Sequence, residues 1–346
     1  MFEIYKYSAL SAKIRGMKGK MLTSHDYEQM MLKKNVNEVA AYLVNNTYYK
    51  ESLPADYTTN VHRGQLEVLL YRAVVTDALK IAKHLKGDEK KIYRYIYRKL
   101  EIEDIKKMLR TLHMGKPLSE LDRSTLFVSR YSIIDFDVSL KAQTIPELVE
   151  SLSETSFHRI LNPLVNDSGE IDIFVAEMEL DLYYYTKTAR QVNKMAKGKD
   201  KLLLEELFGL EADFKNIYWI YRAKKYYKLN REMIYRYMIS FRYKLTKEVI
   251  NEMVESKDLE GLVNIVERTY LGKFINFHQE RIELQFLSFM QSLQQRTMRL
   301  VPFSIAPIIG YMYLKELEVL DITNIVEGIR YDVEPEEIKK YLAGVE

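Results

Sequence analysis

The chain has 346 residues, 47% hydrophobic and 29% charged, and its 52 basic and 49 acidic side chains leave a net charge of +3. This is the composition of a packed globular protein, with no field strong enough to demand a polyanionic partner. It has no cysteine, which excludes a disulfide framework and thiolate metal sites. Few glycines (13) and prolines (7), with no recurrent two-residue alternation, predict long elements and an all-α fold. Tyrosine is the anomaly, 27 residues against 13 Phe and one Trp. Its apolar body and polar tip suit half-buried helix faces and partner surfaces.

The opening stretch, MFEIYKYSALSAKIRGMK, lacks the apolar centre of a signal peptide. It runs into SAKIRGMKGKMLT, where Lys13, Arg15, Lys18 and Lys20 crowd together. That cluster suits anionic lipid or an acidic partner, and equally a solvated helix face. Gly16 and Gly19 argue against a long helix across it. Next comes NVNEVAAYLVNN from Asn35, whose Val36, Val39 and Leu43 fall on one helix face. The same pattern returns in TIPELVESLSET from Thr144 and in DLEGLVNIVERT from Asp258, with Ile145, Leu148, Leu152 and Leu259, Leu262, Val266. Asn35, Thr144 and Asp258 are predicted N-caps, and Glu38 and Glu147 extend the first two to capping boxes, where the third has Gly261.

A second landmark recurs later in each unit: Asp104-Ile105-Lys106-Lys107-Met108, Asp213-Phe214-Lys215-Asn216-Ile217 and Asp321-Ile322-Thr323-Asn324-Ile325. From 104 to 213 to 321 the steps are 109 and 108 residues. Glu67, Glu179 and Glu283 form a weaker third landmark, and Leu22-Thr23 matches Leu245-Thr246. Landmarks keeping one order and nearly one period predict three similar helical domains, 1–117, 118–230 and 231–346, in a pseudo-threefold, funnel-like arrangement. Asp213 with Asn216, and Asp321 with Asn324, are i, i+3 neighbours. They read either as a solvated polar edge or, with Asp104, as a ring of polar groups lining a central cavity.

Near the end, Leu300 to Leu314 carries no charge. It is short of the roughly 20 apolar residues a spanning helix needs, and Pro302 and Pro307 interrupt it, so a core segment with no membrane insertion is expected.

Chemistry is hard to find. The chain has no phosphate-binding loop of the GxxxxGK[ST] kind, no GxGxxG and no HExxH. The six histidines never sit i, i+4, so no local zinc site is expected. No catalytic residue, metal or cofactor is assigned. Basic residues interleave with aromatics in IYRYIYRK (92–99), YRAKKYYK (221–228) and IYRYMISFRYK (234–244). That pattern allows a helical nucleic-acid-binding module. It arises as readily from amphipathic helices whose Tyr rings rest on a core while Arg stems lie along it, and the balanced charge favours the latter, so no nucleic acid is expected as a partner.

Three blocks of residues stand out across the whole chain. The N-terminal signature is Ala12, Ile14, Arg15, Met17, Lys18, Lys20, Leu22, Thr23, Asp26 and Tyr27; the middle one is Glu179-Leu180-Asp181, Tyr183-Tyr184, Asp213, Asn216-Ile217 and Arg222. The most specific block is Pro302, Ser304, Gly310-Tyr311, Leu314-Lys315-Glu316 and Glu318-Val319, then Ile325. On these blocks the whole chain resembles the C-type subunits of archaeal and bacterial V-type (A/V-type) ATPases, which correspond to the d-type subunit of the eukaryotic enzyme. Just after Val319 that family's pattern has Asn-Leu-Arg where this chain has Asp321-Ile322-Thr323, so a contact made by that arginine would be missing here. The resemblance implies a non-catalytic rotor component of the central stalk, peripheral on the cytoplasmic side of the membrane. It implies a funnel of three similar helical domains that caps the proteolipid ring and receives the D and F components of the shaft. Lys13, Arg15, Lys18, Lys20, Asp104, Asp213, Asn216, Asp321 and Asn324 are the expected partner-binding residues, chosen from the basic segment and the repeated polar positions.

Overall fold

A computed structural model describes residues 2–54, 61–121, 126, 132–227, 229–279 and 281–344. Among them every regular element is helical, so the protein is all-α. In chain order these are α1 (Phe2–Lys18), α2 (Ser24–Met31), α3 (Val36–Asn46), α4 (Arg63–Ala82), α5 (Gly87–His113), α6 (Phe136–Ser139), α7 (Ile145–Ser151) and α8 (His158–Leu161). There follow α9 (Ile173–Met195), α10 (Gly198–Arg222), α11 (Arg231–Arg236), α12 (Lys247–Glu255), α13 (Leu259–Glu267), α14 (Ile282–Leu300), α15 (Ala306–Arg330) and α16 (Pro335–Lys339). The chain forms two compact units, Met1–Leu85 with Phe274–Glu346, and Lys86–Lys273.

The three expected N-caps are in place. Asn35 accepts the Glu38 N–H at 3.0 Å, Thr144 that of Glu147 at 3.3 Å, and Asp258 that of Gly261 at 2.7 Å. The capping boxes differ in one detail. Glu38 and Glu147 accept the backbone N–H of Lys34 and Gln143, the residues preceding the caps, and Glu38 also accepts from the Asn35 side-chain amide at 3.2 Å. The full reciprocal box is at α2, where Thr23 and Asp26 each accept the other's backbone N–H. Val39, Leu43, Leu148, Leu152, Leu262 and Val266 are all fully buried, as their spacing predicts.

Pro307 does not kink a helix. It occupies the first turn of α15, where a missing N–H leaves no bond unmade. Pro302 lies in the non-helical link between α14 and α15. The run from Ser304 to Met312 is buried, apolar nearly all round, and forms core. No helix among the described residues is long and apolar enough to cross a membrane. At Gly310 a Cβ would come within 2.7 Å of the Met298 side chain, so any larger residue there requires Met298 to move.

Packing runs across the sequence repeats. In the second unit α5 lies along α9 and α7, and α10 packs on α9, α12 and α13. In the first unit α15 packs on α14 but also on α1, α2, α3 and α4. Each helix carrying the Asp landmark therefore rests on short N-capped helices, α5 on α7, α10 on α12 and α13, and α15 on α2 and α3. Replacing Asn35, Thr144 or Asp258 by Ala is expected to cost about 1 kcal/mol each in denaturant unfolding, because one terminal N–H per helix loses its acceptor.

Candidate functional site

The repeated carboxylates are neither a solvated edge nor free ligands. Asp104, Asp213 and Asp321 are fully buried, as is Asn216, while Asn324 is half-buried. Buried backbone N–H groups need acceptors, and these side chains supply them. Asp213 accepts from Lys244 at 2.7 Å, Leu245 at 3.0 Å and Tyr243 at 3.2 Å, immediately ahead of Thr246, the N-cap of α12. Asn216 holds Ile239 by both peptide groups, at 2.8 and 3.0 Å. Asp321 accepts from Ala343 and Gly344 at 2.8 Å each, and Asn324 donates to the Tyr341 carbonyl at 2.9 Å. Asp104 pairs with Lys107 at 3.3 Å.

One turn earlier sit two carboxylates that the repeat pattern does not single out. Glu318 accepts the Leu22 N–H at 2.6 Å, next to Thr23, the N-cap of α2. Glu101 accepts the Ile133 N–H at 2.7 Å, two residues before Asp135, the N-cap of α6. In the middle repeat this position is Leu210, and Asp213 takes over the task. On each of the three long landmark helices a buried carboxylate thus grips the backbone leading into a short capped helix: Glu101 ahead of α6, Asp213 ahead of α12 and Glu318 ahead of α2. The sequence does carry a signal for them: Glu101 and Glu318 each stand three residues before the repeated aspartate.

The most specific block of the sequence folds into a dry polar cluster in the first unit. Lys315 is fully buried, 3.0 Å from Glu318 and 2.9 Å from the Tyr49 hydroxyl, over the rings of Tyr48 and Tyr49 at 4.2 and 4.1 Å. Both tyrosine hydroxyls donate to Glu318, and the Tyr311 hydroxyl donates to Asp77 of α4. Burial pulls the Lys315 ammonium down to about 8, against the pull of Glu318. Burial and the Glu318 charge hold the Tyr49 phenol well above its ordinary value. Apart from the Lys315–Glu318 pair, which lies within α15, each of these bonds ties α15 to N-terminal elements. In the second unit Lys106 does the same between α5 and α9, reaching Asp181 and, at 3.0 Å, Glu103. Burial opposes its charge, but the two carboxylates outweigh it and raise its pKa.

The basic segment sits at the surface. Lys13 and Lys18 are half-buried, and Arg15 and Lys20 exposed. Lys13 reaches His84 at 2.6 Å, Arg15 reaches Ser11 at 3.4 Å, and Lys20 pairs with Glu51 at 3.0 Å. α1 runs through Gly16 and ends at Lys18, just short of Gly19. Lys20 also edges a polar cleft of about 480 Å³ with Asp26, Asn45, Lys50 and Glu51. Burial and the Arg299 charge lower the Lys18 pKa.

The aromatic-basic runs are largely committed within the fold. Tyr93 and Tyr97 are buried and pair ring to ring, and Arg98 pairs with Glu101. In the second run, which ends at Lys228, outside the described residues, a π-turn over Ala223–Tyr227 aims Lys224 at the carbonyls of Val254 and Ser256, 2.8 and 2.7 Å away. Tyr226 and Tyr227 remain exposed there. Among the described residues no three His, Cys, Asp or Glu side chains cluster as metal ligands would.

Two outcomes test this site. Lys315→Met leaves Glu318 charged and buried without its cation, and is expected to cost about 3–5 kcal/mol in denaturant unfolding, with Lys315→Met/Glu318→Gln costing less. Burial raises the Asp213 carboxyl to about 6, in spite of its three backbone N–H bonds. A carboxyl raised on folding binds its proton more tightly in the folded state. Its contribution is therefore complete below about pH 4 and lost as pH rises through about 6, up to about 3 kcal/mol. Between those pH values the stability of the unaltered protein is expected to fall relative to that of Asp213→Asn.

The profile of the family described as ATP synthase (C/AC39) subunit matches residues 10–341. The C-type subunit of the A-type ATP synthase of Methanosphaera stadtmanae is 24% identical, across 99% of this chain and 89% of its own length. That of Methanocaldococcus jannaschii is 22% identical over 99% and 87%, and that of Pyrococcus abyssi 24% over 97% and 91%. With a match running almost end to end, and with the most specific block of the sequence forming the ties that hold α15 in place, the chain belongs to the ATP synthase (C/AC39) subunit family.

Proposed function

We propose that the chain is a non-catalytic rotor component of the central stalk of a V-type ion-translocating ATPase or ATP synthase. The near end-to-end family match carries this reading. In it, three repeats with boundaries at 1–117, 118–230 and 231–346 form a pseudo-threefold funnel on the cytoplasmic face of the membrane. The funnel couples the D and F components of the shaft to the proteolipid ring and makes no covalent bonds.

The internal ties support the mechanical part of the reading. A coupler has to transmit torque without yielding. Long helices of 27, 25 and 25 residues, α5, α10 and α15, are each fastened to the next repeat's segment by buried carboxylates. Close-packed interiors resist strain, and buried hydrogen-bonded charges resist separation. Asp213, Asn216, Asp321 and Asn324 then act beneath the docking surface, by holding the backbone that a partner touches, and Asp104 acts there through its pair with Lys107. Lys13, Arg15, Lys18 and Lys20, the last of which edges the polar cleft, are left as direct docking residues. Polar, wet interfaces suit a shaft that docks and undocks.

The test is co-elution with D and F from the same source at micromolar concentration and moderate salt. A stable ternary complex is expected, and no complex from folded partners overturns the proposal. Lys18→Glu/Lys20→Glu is expected to slow association several-fold at low salt, with the effect fading as salt is added. Unchanged rates would remove the basic segment from the interface and leave the coupler reading standing.

A further inference from the structure

In the second unit α10 ends in a π-turn, Ala223–Tyr227, that crowds two cations among tyrosines. The Arg222 guanidinium lies 5.6 Å from the Tyr218 ring and 5.7 Å from the Tyr227 ring, and donates to the Tyr227 hydroxyl at 3.0 Å. The Lys225 ammonium lies 5.1 Å from the Tyr221 ring and 5.2 Å from the Tyr226 ring, and donates to the Tyr221 hydroxyl at 2.8 Å. The turn makes this arrangement possible. In a continued α-helix the residue above Arg222 would be Tyr226, about four positions on. The wider π-turn brings Tyr227 there and leaves Tyr226 to cover Lys225.

The turn is held in place from beneath. Lys224 donates to the Val254 and Ser256 carbonyls at the end of α12, at 2.8 and 2.7 Å. The Phe174 ring of α9 packs on that of Tyr227 with 4.6 Å between centroids, and Phe214 stacks on Tyr218. The outer side is open: Tyr226 is 62% and Tyr227 42% exposed, and Lys225 is exposed beside them. Among the described residues neither Arg222 nor Lys225 pairs with a carboxylate; both are engaged by phenols alone. The acidic groups around Lys224 and Phe174 are committed elsewhere. Glu255 is held by Arg231 and Tyr235, Asp258 by the Gly261 N–H and Asp172 by the Val175 N–H.

We propose that this turn is a docking site for an acidic helix of a protein partner, with Arg222 and Lys225 taking two of its carboxylates and the Tyr226 and Tyr227 rings lying against its apolar side. Charge decides the sign of the partner. A guanidinium and an ammonium with N–H donors to spare, which no carboxylate of their own surroundings neutralises, fit oxyanions. Spacing decides its form. The two cations stand three positions apart, and carboxylates three or four positions apart on a helix are likewise neighbours, about 5–6 Å between Cβ atoms. Membrane recognition by charge takes clusters of about 4–8 Lys and Arg, and nucleic-acid sites engage about 6–10 phosphates. Two cations on a chain of net charge +3 fall short of both. Exposed tyrosines beside an arginine are instead the composition of protein interfaces, and a turn already held in place loses little freedom on docking. The site stands whether or not the chain is a coupler.

The probe is an alanine-rich helical peptide of about 20 residues with Glu repeated at i, i+4, titrated at low salt into the isotope-labelled full chain and followed by NMR. Its counterpart carries Gln in place of each Glu. The Glu peptide is expected to bind about tenfold tighter, as two partly exposed ion pairs allow, with shifts centred on Tyr226 and Tyr227 and a preference that fades as salt is added. Arg222→Gln/Lys225→Gln should bind both peptides alike, while Lys116→Gln, at an exposed lysine beyond α5, keeps the preference. Should the double variant fail to fold, Lys225→Gln alone decides, with about a threefold loss of preference expected. Equal binding of the two peptides by the unaltered chain, or shifts confined to other residues, overturns the proposal. So does tighter binding of the turn to phosphatidylserine vesicles or to an oligothymidylate than to the Glu peptide.

Discussion

A carboxylate deprived of water must be met by donors or by a cation, since burying it unpaired costs several kcal/mol. The rest of this structure depends on how that demand is met. Asp213 and Asp321 are met by backbone N–H groups, Glu318 by Lys315, two phenols and one backbone N–H. A peptide N–H has no alternative acceptor once its segment leaves water, so the need is mutual. Each contact specifies which segment lies beside which helix, something that apolar packing alone leaves loose.

Those contacts make the repeats interdependent. α15 is encoded at the far end of the sequence from α2, α3 and α4, yet it packs against them, with Glu318 reaching Leu22 across 296 positions of sequence. Folding of the first unit must wait for that long-range closure, whose entropic cost grows with loop length. The return is a body in which helices from distant parts of the sequence are fastened together by buried bonds. Stiffness of that kind is what the proposed transmission of torque requires.

Much of this is legible in the residues. Asn35, Thr144 and Asp258 announce helix starts because capping is a local matter, settled within four residues. The apolar spacing marks the buried faces for the same reason. Burial of Asp104, Asp213 and Asp321 is not legible, because a helical Asp beside an apolar stripe reads as an edge unless its acceptor role toward a distant backbone is known. Pro307 reads as an interruption, yet whether proline breaks a helix or begins one depends on where the first turn falls, and that is set by packing. The partnership of α15 with α2, α3 and α4 leaves no periodic trace at all, since period reports a face and never what covers it.

The repeats also show what is kept when a motif drifts. Three carboxylates accept backbone N–H groups ahead of α2, α6 and α12, yet they come from two helix positions: Glu101 and Glu318 one turn before the landmark, Asp213 at the landmark itself. A longer side chain one turn back and a shorter one nearer reach comparable places. Where Leu210 removes the glutamate, the burden falls on Asp213, which accepts three N–H groups; where Glu318 remains, Asp321 is free to hold a different segment, Ala343–Gly344. The physical requirement belongs to the unmet N–H and not to a sequence position. A landmark helix can therefore lose its residue-by-residue likeness while its ties persist, and one can acquire a second tie, as α15 has through Asp321 and the Ala343 and Gly344 N–H groups.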